Sequence, residues 1–225
     1  MRNPLMILIG LIVCLSMAGV AGADTIDTSP SWDGSNYIYN FGYPNTATYG
    51  EVVTAPGGAL QSFTFYMKQP AFTFEGYVYA WDGSKATGAA LWSSGAMQTA
   101  GSGTFEEITF NTGGVDLTAG SQYVLFATIS NYYVDDGGTG VWGAVGWTGA
   151  YPDTDFVFYN NGGDFLALTT GLWQNPGPTN GLDYVLAFRA EFGGNPVPLP
   201  GAALLLGTGL LCLAAYRRRK SASKG

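Results

Sequence analysis

The chain has no histidine, and its only two cysteines, Cys14 and Cys212, lie in apolar runs at its two ends. The first absence removes Ser-His-Asp and Cys-His catalytic machinery and histidine-based zinc sites. The second leaves the stretch between the ends without a disulfide, a thiolate nucleophile or a thiolate metal site. Charge is scarce as well, at 11% of residues. No glycine-rich loop is followed by the Lys-Ser/Thr pair of a phosphate cradle. No interior window shows apolar residues at a helical period with caps at its ends. Glycine, by contrast, is abundant at 34 of 225 residues. That is about twice average usage, and it supplies turns rather than helices.

Two terminal stretches stand apart. Arg2, the apolar run Leu5 to Val20 and the small residues Ala21-Gly22-Ala23 have the order of an export signal. Cleavage is expected after Ala23, making residues 1–23 a signal helix and Asp24 the mature start. Bulky Val13 before Cys14 argues against a lipoprotein signal. At the other end, Gly201 to Tyr216 carries no charge over 16 residues. As a helix it reaches roughly 24 Å, and Val197 to Pro200 bring it to about the 20 residues a span needs. Pro198 and Pro200 suit the start of a helix and would break its middle. Arg217, Arg218, Arg219 and Lys220 hold the far end in the cytoplasm by the positive-inside rule.

This tail, VPLPGAALLLGTGLLCLAAYRRR, resembles the PEP-CTERM sorting domain of Gram-negative bacteria. Val197-Pro198-Leu199-Pro200 stands as a variant of its short motif, with Leu199 in place of the usual Glu. The resemblance covers residues 195–220. It implies a membrane span, an exosortase-type processing enzyme as partner, and delivery to the cell surface or outside. The sorting-signal residues it implies are Val197, Pro198, Leu199, Pro200, Arg217, Arg218 and Arg219. An ordinary single-span anchor satisfies the same bilayer physics.

Residues 24–195 are expected to form one exported domain, followed by the tail at 196–220 and a short cytoplasmic segment at 221–225. All 16 Asp and Glu fall within 24–195, against Lys68, Lys85 and Arg189. The resulting charge of −13 disfavours nucleic acid and polyanions. The domain reads as short strands punctuated by Gly, Pro, Asn and Asp: residues 36–41, 49–54, 61–67, 72–81, 89–92, 104–110, 122–130, 141–147, 155–159 and 184–192. Phe63, Phe65 and Met67 alternate with polar neighbours, as in a half-buried strand. Tyr123 to Ile129 is apolar on both faces and is expected at the centre of a sheet. The fold class is therefore all-β, an antiparallel β-sandwich or jelly roll. Segments such as GALQSFTFYM and FEEITFNTGGVDLTAGSQYVLF also resemble uncharacterised β-sandwich domains of PEP-CTERM proteins, which resemble carbohydrate-binding jelly rolls.

Candidate chemistry reduces to acids and aromatics. Glu75, Glu106, Glu107 and Glu191 are strand residues that can be outward and solvated, or can pair as in glycoside hydrolysis. Asp135-Asp136 and Asp153-Thr154-Asp155 offer oxygen ligands for a structural Ca²⁺ without matching a fixed spacing. Asp33-Gly34 and Asp82-Gly83 read as turns. No cofactor is expected. Along 72–81, Phe72, Phe74, Val78 and Ala80 share one face, while Tyr77, Tyr79 and Trp81 share the other. One set faces the main core; the other covers a second layer or forms a platform for sugar rings. Loop-side Tyr132, Tyr133, Trp142, Trp147 and Trp173 are a second such group. Trp142, Trp147 and Trp173 are the first choices for stacking on neutral glycan, with core packing the competing reading at each. The expectation is a non-enzymatic surface protein associated with the cell envelope or extracellular polysaccharide. A carbohydrate-binding module on the same tail, or a surface glycosidase, is the alternative.

Overall fold

In the computed structural model, residues 23–68, 70–134, 138–145, 154–176 and 185–194 are described. They build eleven strands: β1 (Asp24–Asp27), β2 (Tyr37–Gly42), β3 (Thr48–Thr54), β4 (Gly58–Lys68), β5 (Thr73–Trp81), β6 (Ala86–Gln98), β7 (Glu106–Leu117), β8 (Gln122–Thr128), β9 (Thr139–Gly143), β10 (Thr154–Tyr159) and β11 (Phe188–Phe192). One helical turn, α1 (Ala167–Thr170), and two 3₁₀ turns complete them. The expected signal helix, apart from Ala23, and the tail with Val197 to Pro200 and Arg217 to Arg219 lie outside the described residues.

Every strand pair is antiparallel, and the strands form two sheets. One runs β10-β3-β8-β5-β6. The expected two-faced strand is its middle member: Tyr123, Leu125 and Ala127 of β8 face one apolar cluster, and Val124 and Phe126 face another. A strand with one wet face has no use for five successive apolar side chains, so position follows from pattern. The other sheet runs β1-β11-β4-β9-β2, with β7 also pairing β4. Phe65 pairs with both Ile108 and Phe188, and Met67 with both Glu106 and Trp142. Strands β11 and β9 therefore share one edge of β4 and β7 takes the other.

The two sheets pack face to face over one core, to which Phe63 and Phe65 of β4, Phe110 of β7, Leu125 of β8, Phe156 of β10 and Phe188 of β11 contribute. A second cluster lies on the outer face of the five-stranded sheet. There Tyr77, Tyr79 and Phe126 are covered by Leu168 of α1, by Phe165 and by Trp173. The second face of β5 thus carries a second layer.

That arrangement corrects two of the three tryptophan assignments. Trp142 is 1% exposed, on the inward face of β9 between Ile38 and Met67, and packs on Phe41, Tyr49 and Phe65. Trp173 is 7% exposed; it lies edge-on to Phe126 at 5.2 Å and donates Nε1–H to the Leu168 carbonyl at 2.8 Å. Neither ring can present a face to a sugar. Trp147 lies outside the described residues, as do Asp135, Asp136 and Asp153.

Strand limits differ from the expectation where glycine is concerned. β6 runs through Gly88 and Gly95, and β7 through Gly113 and Gly114, all at positive φ. Register shifts accompany these stretches, so the glycines are bulges in edge strands rather than stops. β1, unread from sequence, pairs with β11.

Candidate functional site

The exposed aromatic surface of the described residues is on the outer face of the six-stranded sheet. β2 supplies it through a bulge. Ile38 packs against the core, so Tyr37 and Tyr39 point outward, 53% and 64% exposed. Unbroken alternation would send Phe41 outward with them. Instead Asn40, at φ 81°, is an extra residue in the ladder: Tyr39 pairs with Val141 and Phe41 with Gly140. Asparagine tolerates the left-handed region better than other residues with a side chain. The bulge lets Phe41 turn into the core, fully buried, while Tyr39 remains outside. Tyr49 secures the strand from beneath by donating its hydroxyl to the Tyr39 carbonyl at 2.6 Å. Burial pushes the Tyr49 phenol up to about 12, so it remains a donor at physiological pH.

Across the face from β2 the row continues. Tyr37 pairs with Gly143 of β9, and Trp32 lies on that glycine. A Cβ at Gly143 would fall 2.8 Å from the Trp32 ring, so the missing side chain is what seats the indole. Trp32 donates Nε1–H to the Asn36 carbonyl at 2.7 Å and packs against Tyr66 of β4 and Phe105 at centroid distances of 5.1 and 4.8 Å. Lys68 is 6.0 Å from the Phe105 ring centre. From β2 through β9 and β4 to β7 are three interstrand steps, about 14 Å. The surface is a row of half-exposed and exposed rings rather than a single ring.

Beside this row, Lys68 faces the Phe105 ring, and the other charges are paired. Arg189 of β11 meets Glu107 at 2.9 Å and Glu191 at 3.4 Å. Several of the other described acids also have structural partners. Glu106 accepts from the Ala100 and Ser102 amides, which hold its carboxyl below the usual range. Glu75 accepts from Tyr77, Asn131 and Tyr132. Asp33 and Asp82 each accept from two following amides, as turns require; the amide bonds lower the Asp33 carboxyl, while the Ser84 hydroxyl and then its amide lower that of Asp82. Among the described residues no three Asp, Glu, His or Cys side chains come together as a metal site.

One acid was not singled out in the sequence. Glu51 of β3 is fully buried. Burial raises its carboxyl well above the usual range, and the Leu186 amide at 3.4 Å offsets that only in part. The Thr154 hydroxyl lies near enough to favour the charged form slightly, but Oε1 makes no geometrically formed hydrogen bond among the described residues. The signal was there: Tyr49, Glu51 and Val53 share one face of YGEVVT, and two of the three are obvious core residues.

Chemically, the outer face offers flat apolar rings with polar edges, with Lys68 and the Arg189 ion pairs around them. An aromatic face carries negative quadrupole density and suits the C–H face of a sugar ring.

No family model matches the chain, and no curated protein does. Among solved structures, the fold is similar to the cysteine protease and lectin-like domains of Cwp84, a surface layer associated protein of Clostridium difficile. Identity is 11% and the TM-score 0.48, over 77% of this chain and 36% of that one. It is also similar to CsCBM6-3 from Clostridium stercorarium in complex with cellobiose, at 17% identity and a TM-score of 0.28, over 61% of this chain and 93% of that one. At such identities and scores neither neighbour says what this chain binds.

Proposed function

We propose that this is an exported β-sandwich protein that binds neutral extracellular polysaccharide on the outer face of its six-stranded sheet and catalyses no reaction on it. The observation that carries the reading is the row formed by exposed Tyr37 and Tyr39 with half-exposed Trp32, Tyr66 and Phe105, in a chain with few charges. Exposed large aromatics on a soluble face lose hydrophobic stabilisation unless something stacks on them. Net negative charge between the termini directs the choice to neutral polymers. Individual contacts on an open face bury little area, so binding is weak per copy and strengthens when many copies sit along one polymer. The terminal segments deliver the protein: residues 1–23 direct export, and the tail, read by an exosortase-type enzyme, holds the chain at the membrane before release to the cell surface or beyond.

Affinity electrophoresis of the full chain through gels containing neutral or anionic polysaccharide tests the binding claim. Retardation is expected in at least one neutral gel and in no anionic gel, with no reducing ends released during the run. Release of reducing ends would turn the reading toward a glycosidase. Mass spectrometry of surface-released protein tests delivery: a chain beginning at Asp24 and lacking residues beyond about 198 is expected, and an intact Arg217 to Lys220 would leave a plain anchor.

A further inference from the structure

A second feature lies at one end of the sheets, next to the bulge that exposes Tyr39. A cleft of about 410 Å³ opens there, whose lining includes Asn40, Pro44, Asn45, Tyr133, Asn160 and Gly162. Its size is that of small-ligand pockets, but its lining is mainly polar rather than apolar, with three side-chain amides beside Pro44 and the Tyr133 ring. We infer that this cleft is a binding site for a single neutral hexose unit, gripped by the side-chain amides of Asn40, Asn45 and Asn160 above the Tyr133 ring. The inference rests on the polysaccharide reading for its ligand class alone; its residues are separate from the aromatic row.

Both walls are built rather than incidental. The 40–46 turn closes on itself through the Thr46 amide to the Asn40 carbonyl at 2.9 Å and the Asn45 amide to the Gly42 carbonyl at 2.8 Å. The facing wall, residues 160–162, is anchored by Asn161. Its side chain donates to Ser130 Oγ at 2.6 Å and accepts from Thr48 Oγ1 at 2.9 Å, while Thr128 Oγ1 bridges Thr48 and Ser130 at 2.7 Å each. This closed ring of four side chains fixes the wall from below. Tyr133 joins the two walls: its hydroxyl donates to the Asn45 carbonyl at 3.2 Å, its ring meets Tyr43 edge-on at 5.2 Å, and it lies against Gly162.

The amides of Asn40, Asn45 and Asn160 are, by contrast, unengaged among the described residues. Each offers two donors and an acceptor with two lone pairs, the complement of vicinal hydroxyls that donate and accept alike. The described lining carries no cation or carboxylate, so an ionic ligand gains nothing to offset its desolvation. An apolar ligand would strip water from three amides without replacing the bonds. A neutral polyhydroxylated ring satisfies both conditions.

The test is saturation-transfer NMR on the full chain, in detergent where the tail is retained, with the methyl glycosides of glucose, galactose and mannose as probes. Saturation of at least one glycoside is expected. The exposed pair Asn45→Ala/Asn160→Ala, and separately the isosteric Asn160→Asp, are each expected to weaken binding at least about tenfold, as the loss of one or two hydrogen bonds requires. Their thermal transitions should stay unchanged. A Tyr37→Ala/Tyr39→Ala variant is expected to keep the saturation signal. No saturation of any of the three probes, or a signal that survives both asparagine variants, overturns the cleft. Continued polysaccharide retention in that event leaves the aromatic row standing; loss of glycoside saturation in the tyrosine variant as well as the asparagine variants would merge the two sites into one and overturn their separation.

Discussion

The two sheets present their outer faces to different fates. On the five-stranded sheet, Tyr77 and Tyr79 of β5 and Phe126 of β8 lie under α1, Phe165 and Trp173 and are buried. On the six-stranded sheet, Tyr37 and Tyr39 of β2 are exposed and have no such cover among the described residues. The local sequences are alike, tyrosines at alternate positions of a strand whose other face feeds the common core. What separates them is a distant segment, 164–174, that returns over one sheet. A covered aromatic face adds to stability, whereas an open one loses hydrophobic stabilisation and gains a surface for stacking. The contrast predicts that substitutions on the covered face change stability, and those on the open face change binding.

The largest effect is expected at the covered face. Phe126 stacks on Tyr77 at 5.4 Å and meets Trp173 edge-on, with no exposure. Phe126→Ala should destabilise the chain by about 3–5 kcal/mol, read from denaturant unfolding. A change near zero would mean the second cluster does not hold its sheet.

Next is Glu51, in the interior that both faces depend on. Its buried carboxyl has a folded pKa above the ~4.3 of the unfolded chain. Between those values the folded state binds the proton more tightly, so this contribution is full below the unfolded pKa and is lost as pH rises through the folded one. Glu51→Gln mimics the protonated acid and does not ionise. It should leave thermal stability nearly unchanged at about pH 4 and raise it at about pH 8. Parallel pH profiles of variant and parent would contradict the burial argument.

Gly143→Ala is expected to have a smaller effect. The added methyl displaces the half-exposed Trp32 ring, which can swing aside, so the stability loss should be about 1 kcal/mol or less. Retention on neutral polysaccharide should nevertheless weaken, because the indole leaves its place between Tyr37 and Tyr66. Unchanged retention would remove Trp32 from the row.

Much of the layering was legible. Alternation in 61–67 and the two-faced run 123–129 located an inward strand and the centre of a sheet, because burial period follows directly from strand geometry. Faces were harder to assign. Nothing within GVWGAV marks Trp142 as inward; that depends on Ile38 and Met67, which flank it from strands remote in sequence. Trp173, in a loop, became the lid of a sheet it does not belong to. The sequence marks Tyr37 and Tyr39 only as strand residues, since the Asn40 bulge that aims them depends on pairing with β9. Tyr133 was legible as a loop aromatic, but the asparagines beside it come from two other loops. Glycine misled most at β6 and β7, where it marks bulges and not ends.

The central claim is that the open face binds polysaccharide, and the most direct measurement of it is affinity electrophoresis of Tyr37→Ala/Tyr39→Ala beside the parent chain. Both residues are exposed and hold no core contact, so unfolding stability should shift by no more than about 0.5 kcal/mol. Retardation in neutral polysaccharide should fall by at least about tenfold in apparent affinity, the loss of two stacked rings. Equal retardation of variant and parent, or none for the parent in any neutral polymer, would contradict the account.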